Sequence, residues 1–303
     1  MANLKTWMAA ALAVATSAGV AEAETLSMTG EFAAPYRDAS LLGSLALGRI
    51  EGQDGPALAN AIERYLSNTH FELMGGRGAR RDADGTLSGG ITGGSEETPF
   101  TRKEKKCTSK DKDGKCIKEE EVEVRCRRRV INLNVSLRIV RGSDGRIVYS
   151  EQKPFRHEAS WCQGQSAGQT VEEIIGGGIE QIARSVRFDI APEVRTYSIR
   201  VREGTKGMSK EAAKRFKDLI KLTKRDARGA CAGWDAMRDA AGHPSLVFNQ
   251  GLCAEQRGDY ARALALYGDA SRAGATEGRE GMERANRLIA GREDAAVRKR
   301  RRN

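Results

Sequence analysis

A serine between glycines at the spacing Gly-x-Ser-x-Gly stands at Gly164-Gln165-Ser166-Ala167-Gly168. Such a turn presents a hydroxyl for attack on a carbonyl once a histidine takes its proton and a carboxylate orients that histidine. His243 would have to be the base, with Asp226 or Asp235 as its orienter, and these lie in a different predicted part of the chain. The flanks fit poorly. His157–Cys162 does not read as a buried strand, and the following helix begins only at Thr170, whose spacing to Glu173 predicts a capping box. A serine hydrolase acting through Ser166 is therefore the alternative reading of this chain and not the leading one.

Two further constellations could hold a metal. Ser109, Asp111, Asp113, Gly114 and Glu120 occupy positions 1, 3, 5, 6 and 12 of a calcium-loop spacing. The first ligand is only a serine, the flanks read as strands, and a bridge between Cys107 and Cys116 would cross the loop. Zinc fails on spacing, because no Cys-x-x-Cys pair exists and His70, His157 and His243 are scattered. The glycine-rich stretch from Gly75 to Thr98 lacks both GxGxxG and a Lys-Ser/Thr ending, so it predicts loops around a short Leu87–Thr92 strand and not a phosphate cradle. No metal or other cofactor is expected.

The compartment follows from the amino terminus. Met1–Ala23 carries Lys5, an apolar run from Trp7 to Val20 and the triplet Ala21-Glu22-Ala23, the pattern of a secretory signal cut before Glu24. The run is shorter than the roughly 20 residues that span hydrocarbon, so the protein is not expected to be transmembrane once the signal is removed. Export makes the six cysteines disulfide candidates: Cys107, Cys116, Cys126, Cys162, Cys231 and Cys253. Six thiols allow fifteen complete pairings, and sequence alone does not choose among them. Locality favours Cys107 with Cys116 around the Asp113-Gly114 turn, a bridge contributing roughly 3 kcal/mol. Cys231 and Cys253 fall on two predicted helices, which leaves Cys126 and Cys162.

The formal net charge is +10. An exported protein rarely meets nucleic acid, so none is expected as a partner. Anionic lipid, lipopolysaccharide phosphate, peptidoglycan or an acidic protein of the envelope is the counter-charge the composition points to, beside plain solubility. The terminal run Arg298, Lys299, Arg300, Arg301 and Arg302 is the sharpest basic feature, although charge blocks at termini are most often solvated.

These residues need a scaffold, and its clearest part is Val130–Ser150. Ile131, Leu133, Val135, Leu137 and Ile139 alternate with polar residues, and Gly142-Ser143-Asp144-Gly145 turns the chain back into Arg146–Tyr149: a β-hairpin. Val122, Val124 and Cys126 alternate on the opposite parity, which predicts a bulge or break near Arg127–Arg129. Upstream, Ser40–Arg49 reads as a strand, and Pro56 opens a helix carrying Leu58, Ala61, Ile62, Tyr65 and Leu66. His70–Met74 is a second strand. Downstream, a helix from Val171 carries Ile174, Ile175, Ile179, Ile182 and Val186. Gly176, Gly177 and Gly178 interrupt it, so it either kinks or lies close against the sheet. Arg195–Val201 is a closing strand. From Ser209 the chain is helical.

The expected class is α+β, a mixed sheet with packed helices followed by an all-α helical-hairpin domain. The expected divisions are a signal at 1–23, a first domain at 24–203, a second at 208–298 and a basic tail at 299–303.

Two resemblances bear on role. Val247-Phe248-Asn249-Gln250-Gly251 followed by Gly258-Asp259-Tyr260, Ala263, Tyr267 and Ala270 resembles one tetratricopeptide repeat, with Gln250 in place of the usual Leu and no closing Pro. The resemblance implies a protein-binding groove, with Asn249 and Gln256 as contact residues. The order of elements from Ser40 to Val201, with Gly145-Arg146-Ile147-Val148-Tyr149-Ser150 after the long strand, resembles the periplasmic domain shared by curli-secretion channel proteins and the TolB amino-terminal domain. That implies a non-catalytic envelope protein acting through contacts. The leading expectation is thus an exported, non-enzymatic binding or adaptor protein of the periplasm, with a protein partner or an anionic envelope component.

Overall fold

The structure is a computed structural model and describes residues 24–75 and 78–302. The signal expected at 1–23 lies outside the described residues. In chain order the elements are β1 (Thr25–Phe32), α1 (Arg37–Ser40), β2 (Ser44–Glu51), α2 (Gly55–Leu66), β3 (Glu72–Met74), α3 (Ala79–Asp82), β4 (Gly85–Lys110) and β5 (Cys116–Arg141). They continue as β6 (Ile147–Cys162), α4 (Val171–Ile190), β7 (Glu193–Arg200), α5 (Lys210–Leu222), α6 (Ala227–Ala236), α7 (Pro244–Gln256), α8 (Tyr260–Arg272) and α9 (Gly278–Arg302). The class is α+β, as the sequence predicts.

The chain forms two units, and neither is a continuous segment. Among the described residues, a sheet unit comprises Thr29–Thr196 with Glu280–Arg302, and a helical unit comprises Tyr197–Arg279 with Glu24–Met28. This differs from the single break expected near Arg202–Gly207. The reason lies in α9, whose residues beyond Arg279 belong to the sheet unit. There the Arg37 guanidinium meets the buried Asp294 carboxylate at 2.7 Å, and Ala33 N–H donates to the Arg287 carbonyl at 3.2 Å. Gly291 sits so close to this segment that a Cβ would lie 2.1 Å from the Glu31 carbonyl oxygen.

In the sheet unit five strands run in the order β3-β2-β4-β5-β6. β2 pairs in parallel with β3 and β4, while β4, β5 and β6 are antiparallel. α2 and α4 cover one face, burying Leu58, Ile62, Leu66, Ile179, Ile182 and Val186 against Leu45, Leu87, Leu133, Val135, Leu137 and Ile139. The Thr170–Glu173 capping box forms: Glu173 N–H donates to Thr170 Oγ1 at 3.2 Å, and Thr170 N–H to Glu173 Oε2 at 2.8 Å. The turn between β5 and β6 closes with Gly145 at φ +71.

His157–Cys162, not expected to be a buried strand, is the end of β6 with only Cys162 buried, and it pairs with β5 as far as Cys126 opposite Cys162. Two expectations fail here. Gly75–Thr98 is not chiefly loop, because β4 begins at Gly85 and runs without interruption past Thr98. No bulge occurs at Arg127–Arg129; the pairing of β4 with β5 runs in one register from Gly85 opposite Arg141 to Cys107 opposite Glu119. The parity change is real, but a strand has two faces. Leu133–Ile139 bury odd positions under the helices, whereas Val124 and Cys126 bury even ones in a separate cluster with Cys162, Phe100 and Val122. The covered face switches along a strand that does not.

The helical unit centres on α7, which is buried on nearly every side, as a helix surrounded by partners must be. Trp234 and Phe216 meet at 6.2 Å between ring centroids, and Phe248 and Tyr267 at 5.5 Å. Gly251 lets α7 and α8 approach, since a Cβ there would lie 2.8 Å from the Tyr267 ring. All three disulfides favoured by locality form: Cys107–Cys116, Cys126–Cys162 and Cys231–Cys253.

The three glycines of α4 separate by role. A Cβ at Gly178 would meet the Phe155 ring at 2.7 Å and Leu133 at 2.9 Å, whereas Gly176 and Gly177 face open space. Gly178→Ala should lower the urea midpoint by the equivalent of about 1 to 3 kcal/mol through overpacking. Gly177→Ala should raise it by about 0.5 to 1 kcal/mol through helix propensity. Opposite signs in urea unfolding by circular dichroism would establish that α4 lies backbone-close on the sheet at one residue only.

Candidate functional site

The sheet unit contains a cleft of about 400 Å³ lined by Phe32, Ala33, Pro35, Phe188, Asp189, Ala191, Glu193, Arg195 and Arg287. Four elements bring these residues together. β1 ends at Phe32, α4 ends just beyond Asp189, Pro192 turns the chain into β7, and α9 passes Arg287 beside them. Ala191, which precedes the proline, is extended, the conformation that proline imposes on its predecessor.

Behind the cleft wall is a closed polar cluster. Tyr149 Oη donates to Asp189 Oδ2 at 2.9 Å, and Lys153 Nζ meets the same oxygen at 2.6 Å. Tyr36 donates to Glu151, packs edge-on against Tyr149 at 4.8 Å, and gives its backbone N–H to the Asp189 carbonyl at 3.0 Å. The hydrogen bond to Glu151 pushes the Tyr36 phenol up to about 12. Burial first, and then the Asp189 charge, raise that of Tyr149. Both phenols therefore stay protonated and serve as donors. At the rim Glu193 pairs with Arg195 at 2.5 Å.

What the cleft leaves open is different in kind. The Arg195 and Arg287 guanidiniums each stand 5.2 Å from the Phe32 ring centroid. Phe188 is 43% exposed and Val194, beside the cleft on β7, 68%. Among the described residues no carboxylate pairs with Arg287. The exposed Phe188 and Val194 beside the Arg287 cation suit an apolar group that carries an anion. Sequence reasoning missed this cleft, because its residues are spread from position 32 to position 287 and none belongs to a motif.

The residues that sequence singled out lie elsewhere. Asn249 is fully buried and does not line an open groove. Its Oδ1 accepts from Arg202 N–H at 2.8 Å and its Nδ2 donates to the Arg202 carbonyl at 3.0 Å, so the side chain pairs with backbone as a neighbouring strand would. Gln256 Nε2 donates to the Ser27 carbonyl at 3.1 Å, and Tyr197 Oη donates to the buried Glu255 at 2.6 Å. The side of α7 implied for a partner is covered by this chain's own extended segments.

The terminal basic run is helix up to Arg302. Arg298 is largely buried and pairs with Glu31, and Arg301 donates to the Leu41 carbonyl at 2.5 Å. Lys299 and Arg300 are exposed. The run is thus part of the fold at Arg298 and Arg301, because Glu31 and a free carbonyl stand where those side chains reach.

Ser166 is exposed in the loop between β6 and α4, and its Oγ accepts from Gly168 N–H at 3.4 Å. Its supposed helpers have other work in the helical unit. His243 caps α7 by accepting from Ser245 N–H, Asp226 caps α6 by accepting from Gly229 N–H, and Asp235 pairs with Arg257 and Arg262. At the calcium spacing, Asp111 closes the turn between β4 and β5 by accepting from Asp113 and Lys115 N–H, and Glu120 lies on β5 opposite Lys106.

Neither a family model nor a curated protein matches the chain. Solved structures do. A minor lipoprotein from Acinetobacter baumannii is 16% identical over 48% of this chain and 88% of its own, with a TM-score of 0.26. The rare lipoprotein B from Shewanella oneidensis is 10% identical over 48% and 89%, with a TM-score of 0.25. The PelC dodecamer from Paraburkholderia phytofirmans is 13% identical over 52% and 96%, with a TM-score of 0.24. At these scores the likeness carries no argument about the fold or the site. The resemblances to tetratricopeptide repeats and to the curli-secretion and TolB domains find no support in these matches.

Two measurements check these placements. Asn249→Ala should strip the Arg202 N–H and carbonyl of their partners, destabilise the helical unit by roughly 2 to 4 kcal/mol, and speed hydrogen exchange of the Arg202 amide. A groove-lining residue would change neither. His70 provides a pH test: burial first, and then the Arg298 charge, lower its pKa to about 4. Unfolded His70 takes up a proton near pH 6.5 that the folded ring refuses until about 4. Stability should therefore fall as pH drops through that window and level off below it. His70→Gln should lose this component, read as the difference in melting temperature between the two proteins at successive pH values.

Proposed function

We propose that this chain is an exported, disulfide-stapled binding protein of a bacterial envelope, at work in the periplasm, that acts by holding a partner and performs no chemistry. One observation carries the reading. The carboxylates of the cleft and its wall are engaged, Asp189 with Lys153 and Tyr149 and Glu193 with Arg195, while Phe188 and Val194 are exposed and no carboxylate among the described residues pairs with the Arg287 cation. Reactive sites keep a group with its pKa near the working pH; the Tyr36 and Tyr149 phenols are held far above it. The occupant that fits is a protein segment presenting an apolar side chain next to a carboxylate.

Three disulfides support an oxidising compartment. The α7–α8 hairpin is read as a single tetratricopeptide-like unit that stiffens the chain from within, and the exposed Lys299 and Arg300 as the remaining contact with an anionic envelope surface.

A photocrosslinking residue at Val194 or Phe188, introduced into the full chain in cells, tests the reading. One dominant protein adduct is expected. Arg287→Glu should weaken it about tenfold or more through charge reversal at the contact, with the melting temperature unchanged. An adduct indifferent to Arg287→Glu, or none, would overturn the cleft as the binding site. A fluorophosphonate probe that labels the wild type and fails on Ser166→Ala would instead establish the serine hydrolase.

A further inference from the structure

The longest feature of the sheet unit is an arm that the core does not explain. β6 accompanies β5 only as far as Cys126, and β2 accompanies β4 only from Gly85 to Gly90. Beyond these points β4 and β5 continue alone from Phe100 opposite Cys126 to Lys110 opposite Cys116. That is a two-stranded ribbon projecting roughly 34 Å, with the Cys107–Cys116 bridge at its end. Among the described residues, no strand pairs with the outer edge of β4 from Ile91 to Lys110, or with the outer edge of β5 from Cys116 to Arg125. Long unpaired edges are a hazard that folds usually shorten, cover or guard.

The charges on the arm are largely, not wholly, sorted by strand. One face mixes Arg102, Glu104 and Lys106 on β4 with Lys118 and Glu120 on β5. On the other face β4 presents Lys103 and Lys105, and β5 presents Glu119, Glu121 and Glu123, all exposed, with Arg125 at the base. Inside the ribbon these stand opposite one another, Lys103 across from Glu123 and Lys105 across from Glu121. A strand has two edges, however. The complementarity that sets β4 against β5 within one chain is offered a second time at the outer edges, basic on one side and acidic on the other. Guarding against pairing of any kind would call for one sign of charge on both edges, because like charges across strands repel.

We propose that a second copy of this chain docks the outer β4 edge of its arm antiparallel on the outer β5 edge of the first, so that the ribbons join into one continuous sheet. The two surfaces differ, so the contact is head-to-tail, and repetition yields a ring if the rotation closes and a filament if it does not. Its strength should depend on salt, since the pairs are exposed.

The test uses the full chain, exported and purified, in sedimentation velocity at about 0.1 M and about 1 M salt. An assembly larger than one chain is expected at low salt and should dissociate at high salt. Reversing one edge alone would also break pairs inside the arm, so the decisive variant exchanges the charges: Lys103→Glu, Lys105→Glu, Glu119→Lys, Glu121→Lys and Glu123→Lys together. This keeps every opposed pair complementary. The exchanged chain should assemble with itself, yet capture of wild type by tagged exchanged chain should fall about tenfold or more below capture by tagged wild type, because like charges then face each other between copies. Wild type that is monomeric at both salts would overturn the proposal, as would equal capture of wild type by both tagged chains. An exchanged chain that keeps the Cys107–Cys116 bridge but stays monomeric would overturn it equally.

Discussion

Burial of one face of β5 is the constraint on which the sheet unit depends. Ile131, Leu133, Val135, Leu137 and Ile139 are all buried to 2% exposure or less, and side chains of this size gain about 1.5 to 3 kcal/mol each on burial. Because alternation is strict, this face fixes the register of both neighbours; a slip of one residue would send all five side chains to solvent. The register in turn sets Cys126 opposite Cys162 and determines which carboxylates meet which lysines on the arm. Gly178 completes the arrangement by letting α4 descend onto Leu133 and Phe155. The cleft lies at the far end of this same helix, so the packing at Gly178 and the position of Phe188 and Asp189 are linked through one rigid element.

The helical unit rests on a polar contact instead. A buried carboxamide is costly unless every group it offers is satisfied, and the Asn249 side chain is satisfied only by the backbone of Arg202. Hydrogen bonds from Gln256 to Ser27 and from Tyr197 to Glu255 extend the same contact. The side of α7 that the tetratricopeptide resemblance implies for a partner receives this chain's own segments instead.

How much of this was legible in the sequence depends on whether the signal was local. The alternation of β5, the Pro56 helix start, the Thr170 capping box and the α7–α8 hairpin depend on near neighbours, and all four form as expected. Disulfide pairing was not fixed by sequence, which leaves fifteen possibilities, but the order that locality favours is the one that forms. β4 was hidden because most of it faces solvent, so Gly, Ser, Lys and Glu stand where an alternating apolar face would have announced a strand. The parity change was read correctly but explained wrongly, since a bulge and a switch of covered face leave the same trace in one dimension. Asn249 was misplaced because a buried and an exposed asparagine look alike until the partner backbone, 47 positions away, is known. The cleft had no trace at all, being assembled by tertiary contact alone.

α9 has a consequence for how the sheet unit comes into being. The chain emerges from its amino terminus, and Thr29–Thr196 is complete before any of α9 exists. Yet Glu31, Ala33, Arg37 and Leu41 find their partners at Arg298, Arg287, Asp294 and Arg301. Until α9 is made, Thr29 has its partner at Thr196 and Tyr36 at Asp189, but Glu31, Ala33, Arg37 and Leu41 lack theirs. The full set of contacts in this unit therefore closes only when α9 is in place, so a change in Glu280–Arg302 acts on Glu31, Ala33, Arg37 and Leu41 at the other end of the chain.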